Sequence, residues 1–259
     1  MSYKFAIYPS LEGKSVLVSG GASGIGLATA KLFAQEGAQI VIGDIDEAGG
    51  KAAAEEIGVT YVRYDALDPD AGGILVDAAV TALGGIDILL NVAGIMTWGR
   101  FEETARSSWQ RTLDINLSAV FYLTQKAVPE LIKSKGNVVS VASAGGLHPV
   151  YGTVAYGVSK AGVIAMTRQL AVEMGRHGVR ANAVCPGGVA TPMHQKTMSA
   201  SNFDMSILEE AAARNMPKLQ GVEACTPEEI AAAIAYLASE DARYATGTIL
   251  TIDGGQTTG

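Results

Sequence analysis

Seven short runs of β-branched and aliphatic residues recur along the chain, and most are followed by a stretch long enough for a helix. The runs fall at 15–19, 39–43, 60–64, 86–90, 137–141, 179–184 and 248–252. They read as near-continuous apolar segments, the pattern of strands buried on both faces. Helical patterns fill the intervals at 25–35, 46–57, 74–83, 107–132, 154–174 and 227–238. Such alternation implies right-handed crossovers and an α/β fold: a doubly wound, parallel, seven-stranded sheet with helices on both faces. No Pro/Ser-rich linker or break in composition divides residues 1–259, so the expectation is a single domain. The stretch at about 190–221 departs from the alternation. It is rich in Met, Ser, Asn and Gln with weak periodicity, and reads as a substrate loop.

Composition narrows the partners. Lys and Arg total 19 against 26 Asp and Glu, giving a formal charge of −7. Without a basic cluster, no nucleic-acid partner is expected. Cys185 and Cys225 lack metal-ligand spacing, as do His148, His177 and His194, so no metal is expected. Cys185 reads as a small buried hydrophobe. The N-terminal residues carry no long apolar segment, and no uncharged run approaches membrane-spanning length, which predicts a cytoplasmic protein with no membrane partner. Asn116-Leu117-Ser118 matches a glycosylation sequon, a chance match in that compartment.

The first strand runs into Ser19-Gly20-Gly21-Ala22-Ser23-Gly24-Ile25-Gly26, and a helix begins at once. Glycine permits a tight turn and close backbone approach to a pyrophosphate. The helix N-terminus offers N–H groups and a positive dipole end. Gly20, Ser23, Gly24, Ile25 and Gly26 are therefore candidate dinucleotide contacts. Asp44 and Ile45 follow the second strand, where an acid can accept the adenosine ribose hydroxyls and repel a 2′-phosphate. No Arg or Lys adjoins Asp44 in sequence, which predicts NAD over NADP. Asp46 fits the cap of the next helix, and Thr226-Pro227-Glu228-Glu229 starts the last one.

Tyr156 and Lys160 stand four residues apart on one helical face, thirteen and seventeen residues beyond Ser143. An ammonium beside a phenol favours the phenolate and lowers a pKa that starts near 10. A tyrosine so tuned can exchange a proton with an alcohol near neutral pH. Ser143 can hydrogen-bond the substrate oxygen.

With these residues in place the chain resembles the classical short-chain dehydrogenase/reductase family, from about Leu11 to Gly255. The shared motifs are the glycine loop, Asn91-Val92-Ala93-Gly94, Asn116 in Asp114-Ile115-Asn116-Leu117, Ser143, Tyr156-x-x-x-Lys160, Pro186-Gly187 with Thr191, and 247–255 at the end. The resemblance implies that Tyr156 is the general acid/base and that Lys160 lowers its pKa and holds the nicotinamide ribose. It implies that Ser143 orients the substrate and that Asn116 holds a water of a proton relay. Asp65 and Ala66 would line the adenine pocket. Asn91, Ala93 and Gly94 would lie along the cofactor. Pro186, Val189 and Thr191 would line its nicotinamide end, the last two at the carboxamide. A sheet order of 3-2-1-4-5-6-7 and a homotetramer (or homodimer) are implied as well. Three residues depart from the family pattern: Ser19 for Thr, Val92 for a second Asn, and Gly188 for a bulkier residue.

The expected activity is NAD-dependent hydride transfer on a secondary alcohol or ketone, with a hydrophobic or cyclic substrate preferred over a steroid and a steroid over a sugar. Met96, Trp98, Leu147, Val150, Tyr151, Met193, Met198, Met205 and Met216 are the candidate apolar pocket, since methionine adapts to varied shapes. Gln195, Asn202 and Asp204 are the sparse polar handles a sugar would use, and His148 is a further candidate pocket residue. A non-catalytic NAD-binding protein would have little use for Ser143, Tyr156 and Lys160 together. An epimerase or dehydratase would need a longer chain.

Overall fold

The computed structural model describes residues 7–193, 204–215, 217–219 and 224–258. The seven strands are β1 (Ser15–Ser19), β2 (Gln39–Asp44), β3 (Thr60–Arg63), β4 (Ile88–Asn91), β5 (Asn137–Val141), β6 (Arg180–Pro186) and β7 (Ile249–Ile252). They form one parallel sheet in the order β3-β2-β1-β4-β5-β6-β7. The eight helices treated below are α1 (Gly24–Gln35), α2 (Glu47–Ile57), α3 (Ala71–Leu83), α4 (Arg106–Leu113), α5 (Ala119–Ser134), α6 (Val154–Met174), α7 (Met205–Asn215) and α8 (Pro227–Ala238).

Both sheet faces are covered, which is why the central strands carry no polar alternation. Val16, Val18, Ile42 and Leu90 point into one layer with Phe33 of α1 and Ile230 and Ile234 of α8. Leu17, Val41 and Leu89 point into the other, with Leu75 of α3 and Leu123, Ala127 and Leu131 of α5. Strand order reverses beside β1, so ligands are expected in the crevice beyond the C-terminal ends of β1 and β4.

Local chemistry sets the helix starts. Asp46 accepts a 3.0 Å bond from Gly49 N–H at the head of α2. Thr226 and Glu229 form a reciprocal capping box at the head of α8. One predicted helix is interrupted. The periodicity at 107–132 predicts a continuous helix, but α4 and α5 are joined by a π turn, Asp114–Ser118. The extra residue of a π turn leaves the apolar pattern nearly intact, so periodicity does not reveal it. The expected start of α3 at residue 74 also moves back, to Ala71. Val92 packs its side chain into the apolar layer under α1, which accounts for a hydrophobe at that position.

Candidate active site

The glycine loop is closed by backbone geometry. Gly20, at φ +80°, donates 2.7 Å to the Gly43 carbonyl. A Cβ there would stand 2.6 Å from the Ala93 amide nitrogen. At Gly26 it would meet the Gly20 carbonyl oxygen at 1.9 Å. Gly24 starts α1 at φ +52°, with Ser23 exposed at the N-cap and no acid in the first turn. This narrow, positively ended cradle suits the pyrophosphate of a dinucleotide. Thr191, on the loop after β6, lies against Gly24: a Cβ there would be 3.2 Å from its Cγ2.

Asp44 sits at the tip of β2 beside this loop and accepts 3.0 Å bonds from the amides of Ala22 and Asp46. Ile45 is exposed. The expectation that no cation stands beside Asp44 needs correction. Arg63 is its register partner on β3, a neighbour that sequence distance hides. The nearest carboxylate contact found for Arg63 is to Asp65, at 3.9 Å. Asp65 also accepts from Leu67 N–H at 3.0 Å, and Ala66 is partly buried beside it.

Three strand spacings away, at the end of β5, a second group converges. At ~4.8 Å per spacing the two groups lie roughly 14 Å apart, as the two halves of a dinucleotide require. Ser143 caps a short 3-10 turn and accepts from Gly145 N–H at 3.1 Å. Tyr156 and Lys160 reach it from α6. Lys160 is 5% exposed, donates 2.8 Å to the Val141 carbonyl, and its Nζ lies 5.8 Å from the centre of the Tyr156 ring. Asn116 comes from the π turn. Its Oδ1 accepts from Ile95 N–H at 2.8 Å, and its Nδ2 donates to the Ile95 carbonyl at 2.9 Å and to Ser159 Oγ at 3.1 Å. Its complete burial leaves the sequon inaccessible. Gly94 lies over this group: a Cβ there would be 3.2 Å from Asn116 Oδ1 and 3.5 Å from Lys160 Nζ.

The proton chemistry differs from the expectation of a lowered tyrosine pKa. Burial raises the Tyr156 hydroxyl above its ordinary value, and a hydrogen bond with Ser143 only partly opposes this. Burial also lowers Lys160 to about 8. The lysine shares the desolvated site, so its own charge is weakened and it offers less to the phenolate. The Cys185 thiol is pushed up to about 11 by burial, as suits a small core residue.

Some expected contacts take another form. The Asn91 side chain is buried and donates to Thr124 Oγ1 at 3.0 Å and Ser140 Oγ at 3.3 Å. It braces β4 against α5 and β5, so any ligand contact falls to its main chain. Ala93 and Gly94 follow it into the crevice. Pro186 ends β6, and Val189 pairs with Cys225 in an isolated bridge. Of the pocket candidates, Met205 is 48% exposed, while Ile207 and Ala211 turn the buried face of α7 inward. Asp204 is engaged by Arg100 and Ser206 rather than open as a sugar handle. His194, Gln195, Met198, Asn202 and Met216 lie outside the described residues. Ser159, which accepts from Asn116 Nδ2, carries no motif of its own; its place beside Lys160, three residues after Tyr156, is its signal in the sequence. Among the described residues, no group of three His, Cys, Asp or Glu is placed to hold a metal, and no helix is long and apolar enough to cross a membrane.

This arrangement, a glycine cradle on one side of the switch point and a Ser-Tyr-Lys group on the other, defines a dinucleotide-dependent oxidoreductase site. A family model described as enoyl-(acyl carrier protein) reductase matches residues 20–257. The chain is 38% identical over 256 residues to the 2,5-dichloro-2,5-cyclohexadiene-1,4-diol dehydrogenase LinX of Sphingobium indicum, covering 96% of this chain and 98% of that one. It is 37% identical to a 3-alpha-(or 20-beta)-hydroxysteroid dehydrogenase of Mycobacterium bovis, covering 96% and 91%. Among solved structures it matches the 3-ketoacyl-(acyl-carrier-protein) reductase of Brucella melitensis complexed with NADH, at TM-score 0.85, 31% identity, and 96% and 100% coverage. The chain belongs to the short-chain dehydrogenase/reductase family.

Proposed function

We propose that this protein is an NAD-dependent dehydrogenase of secondary alcohols, running in reverse as a ketone reductase, with one catalytic domain and a substrate loop at about 190–221. The observation that carries the reading is the convergence of Ser143, Tyr156, Lys160 and Asn116 at one end of β5, across the switch point from the glycine cradle.

NAD, when bound, supplies the hydride acceptor. Gly20, Ser23, Gly24, Ile25 and Gly26 hold its phosphates, and Asp44 and Ile45 its adenosine ribose. Asp65 and Ala66 border the adenine. The main chains of Asn91, Ala93 and Gly94 run alongside, and Pro186, Val189 and Thr191 close the nicotinamide end. Ser143 Oγ hydrogen-bonds the substrate oxygen and fixes it against Tyr156. In oxidation the Tyr156 phenolate takes the hydroxyl proton; in reduction the phenol returns it. The raised pKa keeps Tyr156 protonated in the protein alone. Oxidation therefore depends on Lys160, whose Nζ lies 5.8 Å from the ring centre, to favour the phenolate. Lys160 has three donors, one committed to Val141, and the others would hold the nicotinamide ribose. Asn116 locks the Ile95 backbone to α6 through Ser159 and places its π turn where a relay water would sit.

An apolar, cyclic alcohol is the preferred substrate class. Trp98, Ile207 and the bare backbone of Gly152 meet next to Thr153, the N-cap of the helix that carries Tyr156. Two relatives act, by their names, on a ring diol and on hydroxysteroids. Steroid and sugar alcohols are the alternatives. NAD is preferred to NADP because Asp44 puts a carboxylate at the tip of β2, with one oxygen bonded to the loop amide of Ala22 and the other to the amide of Asp46. A cytoplasmic homotetramer or homodimer fits the exposed Phe121, Tyr122 and Val158 on α5 and α6.

The test is an NAD-reduction screen across secondary alcohols, cyclic diols, hydroxysteroids and aldoses, read by NADH absorbance. Cyclic alcohols should react best, and Tyr156→Phe should lower kcat about a hundredfold or more. Full turnover in Tyr156→Phe, or no oxidation of any alcohol, would overturn the reading.

A further inference from the structure

Helix α7 is seated by a contact that links distant parts of the chain. After β4 the chain passes Trp98 and Gly99, where Gly99 N–H donates 2.8 Å to the Gly152 carbonyl and Gly99 pairs with Thr153. Gly152 adopts φ +73°, and a Cβ on it would stand 2.2 Å from Ile207 Cγ2 and 3.7 Å from Trp98 Cε3. Ile207 therefore occupies a notch that only glycine leaves open. Ile207 and Ala211, one turn apart, are 5% and 3% exposed.

Apolar contact brings α7 down but does not fix its position along the notch. Polar bonds at its head do. Arg100 Nη2 donates 2.7 Å to Ser206 Oγ and lies 3.1 Å from Asp204 Oδ2, while Nη1 is 3.3 Å from the same oxygen. The other carboxylate oxygen of Asp204 accepts from Ser206 N–H at 2.9 Å and from Ser206 Oγ at 2.7 Å. The Asp204 carbonyl accepts from Ile207 N–H at 3.1 Å. Arg100 thus grips the residues that start α7, and the geometry passes directly to Ile207. At the other end, the Arg214 guanidinium lies 5.4 Å over the Tyr151 ring. Arg100 is remote from Ser143, Tyr156 and Lys160 in the hydrogen-bond pattern, so it does not take part in proton transfer.

We propose that Arg100 is a positioning residue that, through Asp204 and Ser206, sets the seating of Ile207 against Gly152 and Trp98 and thereby governs affinity for the alcohol. This rests on the dehydrogenase reading above, in which that wall faces the substrate. The grip is partly solvent-exposed, with side-chain exposures of 24% for Arg100 and 51% for Asp204, so salt screens it.

The test uses the full-length protein with NAD and the best alcohol from the screen. Arg100→Met should raise the alcohol KM about fivefold or more, leaving kcat and the NAD KM within about twofold. Asp204→Asn keeps an acceptor for Ser206 but drops the charge; it should raise KM as well. The double variant should be no worse than Arg100→Met alone, as expected for a shared contact. High salt should raise the wild-type KM and leave that of Arg100→Met unchanged. Amide hydrogen exchange over 205–215 should quicken in Arg100→Met at an unchanged Tm. An unchanged alcohol KM, or a loss falling on kcat or on NAD, would overturn the role. If the wild type oxidises no alcohol, the functional reading fails separately, and unchanged exchange over 205–215 then overturns the pin itself.

Discussion

Lys160 Nζ donates a 2.8 Å hydrogen bond to the carbonyl of Val141, tying the reacting face of α6 to the last residue of β5. That single acceptor does not offset burial, and the lysine pKa falls from 10.5 to about 8. The unfolded chain therefore holds a proton that the folded one releases between about pH 8 and 10.5, so stability contributed by this site rises with pH through that window and is lost as pH falls to 8. Below pH 8 the full penalty stands, on the order of 3 kcal/mol. Lys160→Met should thus be inactive yet more stable at pH 7, by about 2 kcal/mol after loss of the Val141 bond. Urea unfolding at pH 7 and pH 9.5 checks this. The advantage must shrink at the higher pH, and a variant less stable at pH 7 would refute it.

Asp44 and Arg63 are neighbours across β2 and β3. Replacing the acid removes the charge that opposes a 2′-phosphate while a guanidinium remains on the adjoining strand. Asp44→Ser should lower kcat/KM for NAD about tenfold and raise it for NADP by a similar factor. Adding Arg63→Ala should cancel the gain with NADP. The comparison is steady-state kinetics with both cofactors, and unchanged preference in Asp44→Ser would count against the assignment.

Gly26 leaves no room for a methyl group, because the obstacle is the Gly20 carbonyl oxygen at 1.9 Å. Backbone cannot swing aside as a flexible side chain can. Gly26→Ala should destabilise the fold by about 1–3 kcal/mol and raise the NAD KM at least tenfold, about 1.4 kcal/mol of binding. Gly188→Ala is the control, since a Cβ there meets nothing within 4 Å; its stability should stay within about 0.5 kcal/mol. Thermal melts and NAD titrations separate the two.

Thr226 closes the capping box of α8, accepting from Glu229 N–H at 3.3 Å while Glu229 accepts from Thr226 N–H at 2.7 Å. The helix carries Ile230 and Ile234 into the core, so fraying at its head is felt beyond the surface. Thr226→Ala should cost about 1 kcal/mol, seen as a lower urea midpoint with an unchanged slope. An unaltered midpoint would show that the cap contributes nothing.

The sheet was legible because its strands are buried on both faces and separated by helices that need space to cross. Bounds slipped where burial and pairing part company: Ile86 is buried, but the ladder of β4 begins at Ile88. The cluster of Ser143, Tyr156 and Lys160 was legible because it depends on spacing along one helix and the adjoining strand end. The tyrosine's raised pKa was not, since desolvation depends on what surrounds a pair and not on how far apart its members stand. The pocket is legible mainly in composition: methionine marks 205, whereas the four-residue spacing of Ile207 and Ala211 marks the face of α7 that is buried. Arg100 with Asp204, and Asp44 with Arg63, join residues that no local pattern connects.

The π turn at Asp114–Ser118 has a consequence for chain length. A turn of this kind holds one residue more than the α-helix around it. Deleting any one of the five would let α4 and α5 close into a regular helix with the flanking faces kept, because the wide turn spends its extra residue on the same rotation. Thr112 would stay buried against its neighbours, and the change would fall on the turn itself. Asn116 would lose its register with Ile95 and Ser159. The aim of that side chain is therefore set by arithmetic as well as by identity, and an insertion elsewhere in α5 could not substitute for the residue lost.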